Sequence, residues 1–177
     1  MLKKILLGLV LIATLVVALA LMRPDSFEVR REIDIAAPPA RVAGYLNDFH
    51  QWTAWSPWER LDPAMRRTFS GPPRGQGAVY AWAGNDDVGE GRMEIVEDQS
   101  PARIVIQLDF VKPFAARNRT VFELAPQGNG THVAWTMSGP APLITKLVGL
   151  FVSMDEMIGA DFEKGLGQLK AAAEGKP

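Results

Sequence analysis

Apolar and polar residues divide the chain into three regimes. From Ile5 to Met22 eighteen consecutive residues carry no charge, and twelve of them are Leu, Ile or Val. As a helix this run is about 27 Å long, close to the roughly 30 Å hydrocarbon core of a bilayer. Alternation then takes over. Phe27, Val29, Ile33 and Ile35 share one parity, interrupted by Arg31, which predicts a half-buried strand over 27–35. Pro38-Pro39 opens a short helix to about Asn47, and the aromatic, proline-interrupted stretch 48–63 suits a further helical turn and a loop. Six segments at hairpin spacing follow, at about 65–69, 78–83, 88–97, 103–110, 117–125 and 131–137. They are separated by turn residues such as Gly71-Pro72-Pro73, Gly84-Asn85, Ser100-Pro101 and Gly128-Asn129-Gly130. Successive strands without intervening helices imply an antiparallel sheet.

After Pro140 and Pro142 the period changes again. Leu147, Phe151, Met154, Ile158, Phe162, Leu166 and Leu169 recur every three or four residues, the pattern of one long amphipathic helix. Each glycine within it weakens it by up to about 1 kcal/mol, which makes Gly149 and Gly159 candidate break points. The pattern alone thus predicts an α+β domain over residues 25–177, with about seven strands and a long closing helix. Its roughly 150 residues leave no room for a second domain.

The leader, residues 1–24, reads as a retained transmembrane anchor or as a secretory signal cleaved after Ala18-Leu19-Ala20. Signal sequences usually carry an apolar region of about 7 to 15 residues, so the longer run here favours the anchor. Lys3 and Lys4 place the N-terminus inside and the domain on the periplasmic, extracytoplasmic side of a single-pass protein, while Arg23, Arg30 and Arg31 weigh the other way.

Charge narrows the function. Of 19 basic side chains two, Lys3 and Lys4, lie in the leader, leaving 17 against 20 acidic ones. A net charge of about −3 removes the electrostatic basis for binding nucleic acid. There is no cysteine, hence no disulfide, thiolate zinc site or cysteine nucleophile. His50 and His132 have no partner at metal-ligand spacing, and no nucleotide or cofactor motif occurs. Neither a metal nor a cofactor is expected.

Trp52-Thr53-Ala54-Trp55-Ser56-Pro57-Trp58 followed by Asp62-Pro63 resembles the W-x-x-W-S-P-W...D-P signature of bacterial polyketide cyclase/dehydrase-like members of the START-like (SRPBCC) superfamily. Ala37-Pro38-Pro39, the turn from Gly71 to Gly77, Thr131-x-Val133-x-Trp135-x-Met137 and the stretch from Met154 to Leu166 extend the resemblance over nearly all of 27–173. It implies a helix-grip fold, a curved antiparallel sheet around a long C-terminal helix with an internal cavity. Such cavities serve ligand binding, lipid transfer and catalysis.

An apolar cavity would accept a hydrophobic small molecule or lipid. Strand parity nominates Tyr80, Trp82, Met93, Ile95, Ile106, Leu108, Phe110, Phe122, Leu124, Val133, Trp135 and Met137 for the inner face, and the helix adds Met154, Met157, Ile158 and Phe162. Candidate ligand contacts are Trp55, Trp58, Trp82, Met93, Phe110, Phe122, Trp135, Met154, Met157 and Phe162; core filling is the competing role for each. The tryptophans of the W-x-x-W-S-P-W segment are candidates for a cavity mouth or lid, for plain packing of loop on sheet, or for insertion into lipid. Two functions remain open. One is membrane-anchored binding of an apolar or amphipathic molecule. The other is a cyclase- or dehydratase-type enzyme using a cavity carboxylate, for which Asp155, its pKa raised if buried, and Tyr80 are the candidate acid/base groups.

Overall fold

The computed structural model describes residues 2–175. Met1, Lys176 and Pro177, at the outer ends of the leader and the domain, lie outside the described residues. The uncharged run forms one helix, α1 (Leu2–Leu21), which is exposed except at Gly8 and Val16, partly covered, and Ala20, buried. Among the described residues it is the one helix long and apolar enough to cross a membrane, a property that signal sequences share.

The chain then enters β1 (Ser26–Ile35), α2 (Pro39–Leu46) and two 3-10 turns, Phe49–Ala54 and Pro57–Arg60. Six strands follow, β2 (Arg66–Ser70), β3 (Val79–Ala83), β4 (Glu90–Gln99), β5 (Arg103–Lys112), β6 (Ala116–Gln127) and β7 (Gly130–Pro140). Each predicted segment coincides with one of them. They form one antiparallel sheet in the order β1-β7-β6-β5-β4-β3-β2, so the first strand pairs with the last. Register shifts between β4 and β5 at Glu90/Gly91 and Ile95/Glu97 locally bend and twist it. The curved sheet grips the closing helix, as the resemblance implied.

Two helices stand where one was predicted, α3 (Leu143–Val148) and α4 (Met154–Glu174). Gly149 ends the first, donating to the Thr145 carbonyl at 2.8 Å. Ser153 starts the second with a full capping box, its side chain and the Glu156 carboxylate each satisfying an otherwise orphaned N–H. Gly159, the other candidate break, lies inside α4. A Cβ there would stand 2.1 Å from Arg31 Nη2, so the glycine makes room for that guanidinium.

The antiparallel register sorts the domain into two ends. At the leader end β1 and β6 begin and β5 and β7 finish, with Ser26 opposite Pro140 and Phe110 opposite Ala116. At the far end lie the β6–β7 turn and the last turn of α4, where Glu174 accepts from the Ala36 N–H at 2.8 Å.

Candidate functional site

Beneath α4 the grip is filled. Phe162 stacks on Trp135 with centroids 3.9 Å apart and rings 12° from parallel, and Trp135 meets Phe122 at 5.1 Å and Trp55 edge-on at 5.6 Å. None of these four is more than 2% exposed. They are the core, with their faces already occupied by one another. Gly165 allows α4 this close, since a Cβ there would sit 3.0 Å from Trp135 Cζ3 and 3.2 Å from Pro57 Cδ.

Trp52 and Trp55 are buried as well, which excludes them from both a lid and lipid insertion. A spacing of three is the period of a 3-10 helix, so Trp52, Trp55 and Trp58 stack on one side of the two turns and face inward. The Trp55 indole N–H donates to the Tyr45 carbonyl at 3.0 Å and that of Trp52 to the Leu46 carbonyl at 3.2 Å. These are carbonyls that the end of α2 leaves without helical partners. The two indoles therefore cap α2 as they fill the core.

Toward the leader end the same concave face is less covered. Phe27, Trp58, Trp82, Leu108, Phe110 and Met154 are partly exposed there. Trp82 lies across Gly91, where a Cβ would stand 2.5 Å from the indole ring, and meets Phe110 edge-on at 5.8 Å. Its N–H is held by the Val88 carbonyl at 2.9 Å. Met93, between Tyr80 and Leu108 in the register, is buried beside them. The predicted contacts thus separate: Trp58, Trp82, Phe110 and Met154 are partly exposed, while Trp55, Phe122, Trp135 and Phe162 form a closed buried layer. Met157 does not face inward. It is 52% exposed because the buried stripe of α4, through Gly159, Phe162, Leu166, Leu169 and Ala173, runs along another side.

Polar groups at the concave face make two clusters. Beside Trp58 in sequence, the largely buried Glu59 accepts from the Tyr80 hydroxyl at 2.6 Å and from Arg67 Nε at 2.7 Å, and Arg67 also donates to the Glu59 and Met65 carbonyls. Burial, reinforced by the Glu59 carboxylate, pushes the Tyr80 pKa well above the ordinary phenol value, so Tyr80 stays a donor. Sequence reasoning missed Glu59 and Arg67. The only signal was an acid directly after Trp58 and an arginine of concave parity on β2.

The second cluster explains the parity exception in β1. Arg31 Nη1 and Nη2 donate to the two oxygens of Asp155 at 2.7 and 3.0 Å, and Nε donates to Glu163 at 2.7 Å. The rise predicted for a buried Asp155 does not occur. The side chain is 54% exposed, and hydrogen bonding to Arg31 holds its carboxyl below the usual range. Nor are Asp155 and Tyr80 brought together: Arg31 is on β1 and Tyr80 on β3, five strand spacings apart in the sheet. His132 pairs with Asp34 and Glu32 on the outer face, and His50 with Asp48. Among the described residues no group of three His, Asp, Glu or Cys side chains is placed to hold a metal ion.

Solved structures share this architecture. A protein of Thermobifida fusca solved by solution NMR is 25% identical, with a TM-score of 0.61 over 82% of this chain and 92% of that one. The Aha1 dimer from Colwellia psychrerythraea gives 0.60 at 17% identity over 84% and 96%. BexL, a di-domain ARO/CYC from the BE-7585A biosynthetic pathway, gives 0.63 at 18% identity, over 91% of this chain and 54% of BexL. No curated protein matches the chain. Residues 26–174, everything from the first strand to the end of α4, match the family described as polyketide cyclase/dehydrase and lipid transport, and the chain belongs to that family.

Proposed function

We propose that this protein is a membrane-tethered binder or carrier that takes up an apolar or amphipathic small molecule, such as a lipid, at the concave mouth of its leader end. The domain is held on the extracytoplasmic side by α1. The observation that carries this reading is the partial exposure of Phe27, Trp58, Trp82, Leu108, Phe110 and Met154 on a concave face. Apolar surface in contact with water costs about 25 cal/mol per Å², and a ligand laid against it recovers that energy. Behind the rim the buried Trp135 N–H has no hydrogen-bond partner. An oxygen on the ligand reaching it would satisfy a donor whose isolation costs about 1–3 kcal/mol.

The alternative, a cyclase- or dehydratase-type enzyme, draws on Glu59 as a concave carboxylate. Each oxygen of Glu59 already receives a hydrogen bond, from Tyr80 and from Arg67, which braces the second 3-10 turn against β2 and β3. Asp155 is engaged with Arg31. Both carboxylates serve the scaffold, and the binder reading is the better supported. Full-length protein purified from membranes should release a stoichiometric apolar molecule into organic solvent, identified by mass spectrometry. Leu108→Asp or Trp82→Asp should lower its occupancy about tenfold or more with the circular dichroism spectrum retained. A folded protein that yields no such molecule, and takes up no added apolar fluorophore, would sink the binder reading.

A further inference from the structure

Beyond the leader, residues 1–24, eleven large apolar side chains among the described residues are exposed, and seven of them fall in two short segments. Val111 and Phe114 belong to the β5–β6 hairpin. The other five lie within 143–152, in and just after α3, led by Ile144 and Phe151. Phe151 is 82% exposed, Phe114 80% and Ile144 64%.

Topology brings both segments to one place. The β5–β6 hairpin closes at the leader end, beside the end of β7 from which the chain passes into α3. α1 arrives there too. It meets α3, and the Arg23 guanidinium stands beside Gly149. Four residues separate Leu21, the last of α1, from Ser26, the first of β1. Fully extended they reach about 14 Å. They are also tied down: the Asp25 carbonyl accepts from the Ala141 N–H at 2.7 Å, and the Asp25 carboxylate pairs with Lys146.

With α1 across a bilayer, the reading on which this inference rests, the leader end cannot leave the membrane surface. We infer that the α3 segment and the β5–β6 hairpin are seated in the lipid interface, with Ile144, Phe151 and Phe114 inserted, so that the concave mouth faces the bilayer. The partner is the lipid surface itself. Its attraction is mainly apolar: Lys112 is paired with Glu90, Arg117 with Asp109 and Lys146 with Asp25, which leaves Arg23 as a single cation there without an ion pair among the described residues. Seating is therefore expected to be much the same on zwitterionic and anionic lipid.

The chain has no cysteine, so single-cysteine labelling is clean. Full-length Phe114→Cys, Phe151→Cys, Leu11→Cys and Asn129→Cys variants, each carrying an environment-sensitive fluorophore, would be placed in phosphatidylcholine nanodiscs, with and without phosphatidylglycerol. The quencher is a lipid spin-labelled near its headgroup. Labels at 114 and 151 should be quenched severalfold more than the label at 129 on the far-end turn, equally in both lipid mixtures, and Ile144→Asp with Phe151→Asp should release the label at 114. If the label at 11 is buried in lipid while those at 114 and 151 remain as accessible as 129, the tether stands and the seating is overturned. Shielding at 114 and 151 that persists in detergent and yields crosslinks between copies would overturn it in favour of self-association. Quenching that needs phosphatidylglycerol overturns the apolar mechanism. Absence of the label at 11 from the bilayer would remove the tether itself.

Discussion

Through Phe162, Leu166, Leu169 and Ala173 helix α4 is held by buried apolar contact, whereas its first two turns carry the surface ion pair of Arg31 with Asp155, which Arg31 joins to Glu163 one turn further on. The four apolar side chains of the first set are buried, Phe162 within the aromatic layer. The residues from Met154 to Gly159 are partly or largely exposed apart from Gly159 itself. Apolar burial is strong and insensitive to pH, while an exposed ion pair is weak and sensitive to both salt and pH. One helix thereby combines a fixed half with a half that can yield, and the yielding half is the one that borders the proposed ligand entrance.

Truncation in the fixed half should have the largest effect. Phe162→Ala removes a fully buried ring stacked on Trp135 and should lower stability by about 3–5 kcal/mol in denaturant unfolding. Recovery of most of that loss by local collapse would mean the layer is softer than its geometry indicates.

Two glycines of α4 sharpen the contrast. At Gly165 an added Cβ presses on Trp135 and Pro57 within the core, where overpacking costs about 1–3 kcal/mol, against a helix-propensity gain of up to about 1. Gly165→Ala should therefore destabilise by up to about 2 kcal/mol. At Gly159 the added Cβ meets only the tip of the Arg31 side chain, which can swing into solvent. Gly159→Ala should leave the unfolding midpoint unchanged or slightly raised. Equal losses at the two sites would erase the distinction between the halves.

The smallest effect concerns pH. Asp155, held below the ordinary carboxylate value of 3.8 by Arg31, adds stability that is complete above that value and is lost as pH falls through its lowered pKa. Amide exchange in the first two turns of α4, corrected for intrinsic rates, should accelerate as pH falls below 3.8 while the last turns stay protected. Arg31→Met should reproduce that acceleration at neutral pH. Uniform acceleration along α4 would argue against a clip.

The seven strands, the closing amphipathic stretch and the inner-face residues from Tyr80 to Met137 were legible because they depend on local periodicity, and a period of two assigns faces without knowledge of the partner strand. The family resemblance was legible because the W-x-x-W-S-P-W segment is contiguous. Other features depend on residues far apart in the chain. Arg31 showed only as a break in parity until α4 placed Asp155 and Glu163 124 and 132 positions away against it. Glu59 gained its role from Tyr80 and Arg67, and Trp52 and Trp55 became caps because the end of α2 folds back to meet them. Only the folded sheet separated the aromatic residues into a packed layer and a partly exposed margin, since burial depends on what covers a face, whereas periodicity records only which face a residue lies on.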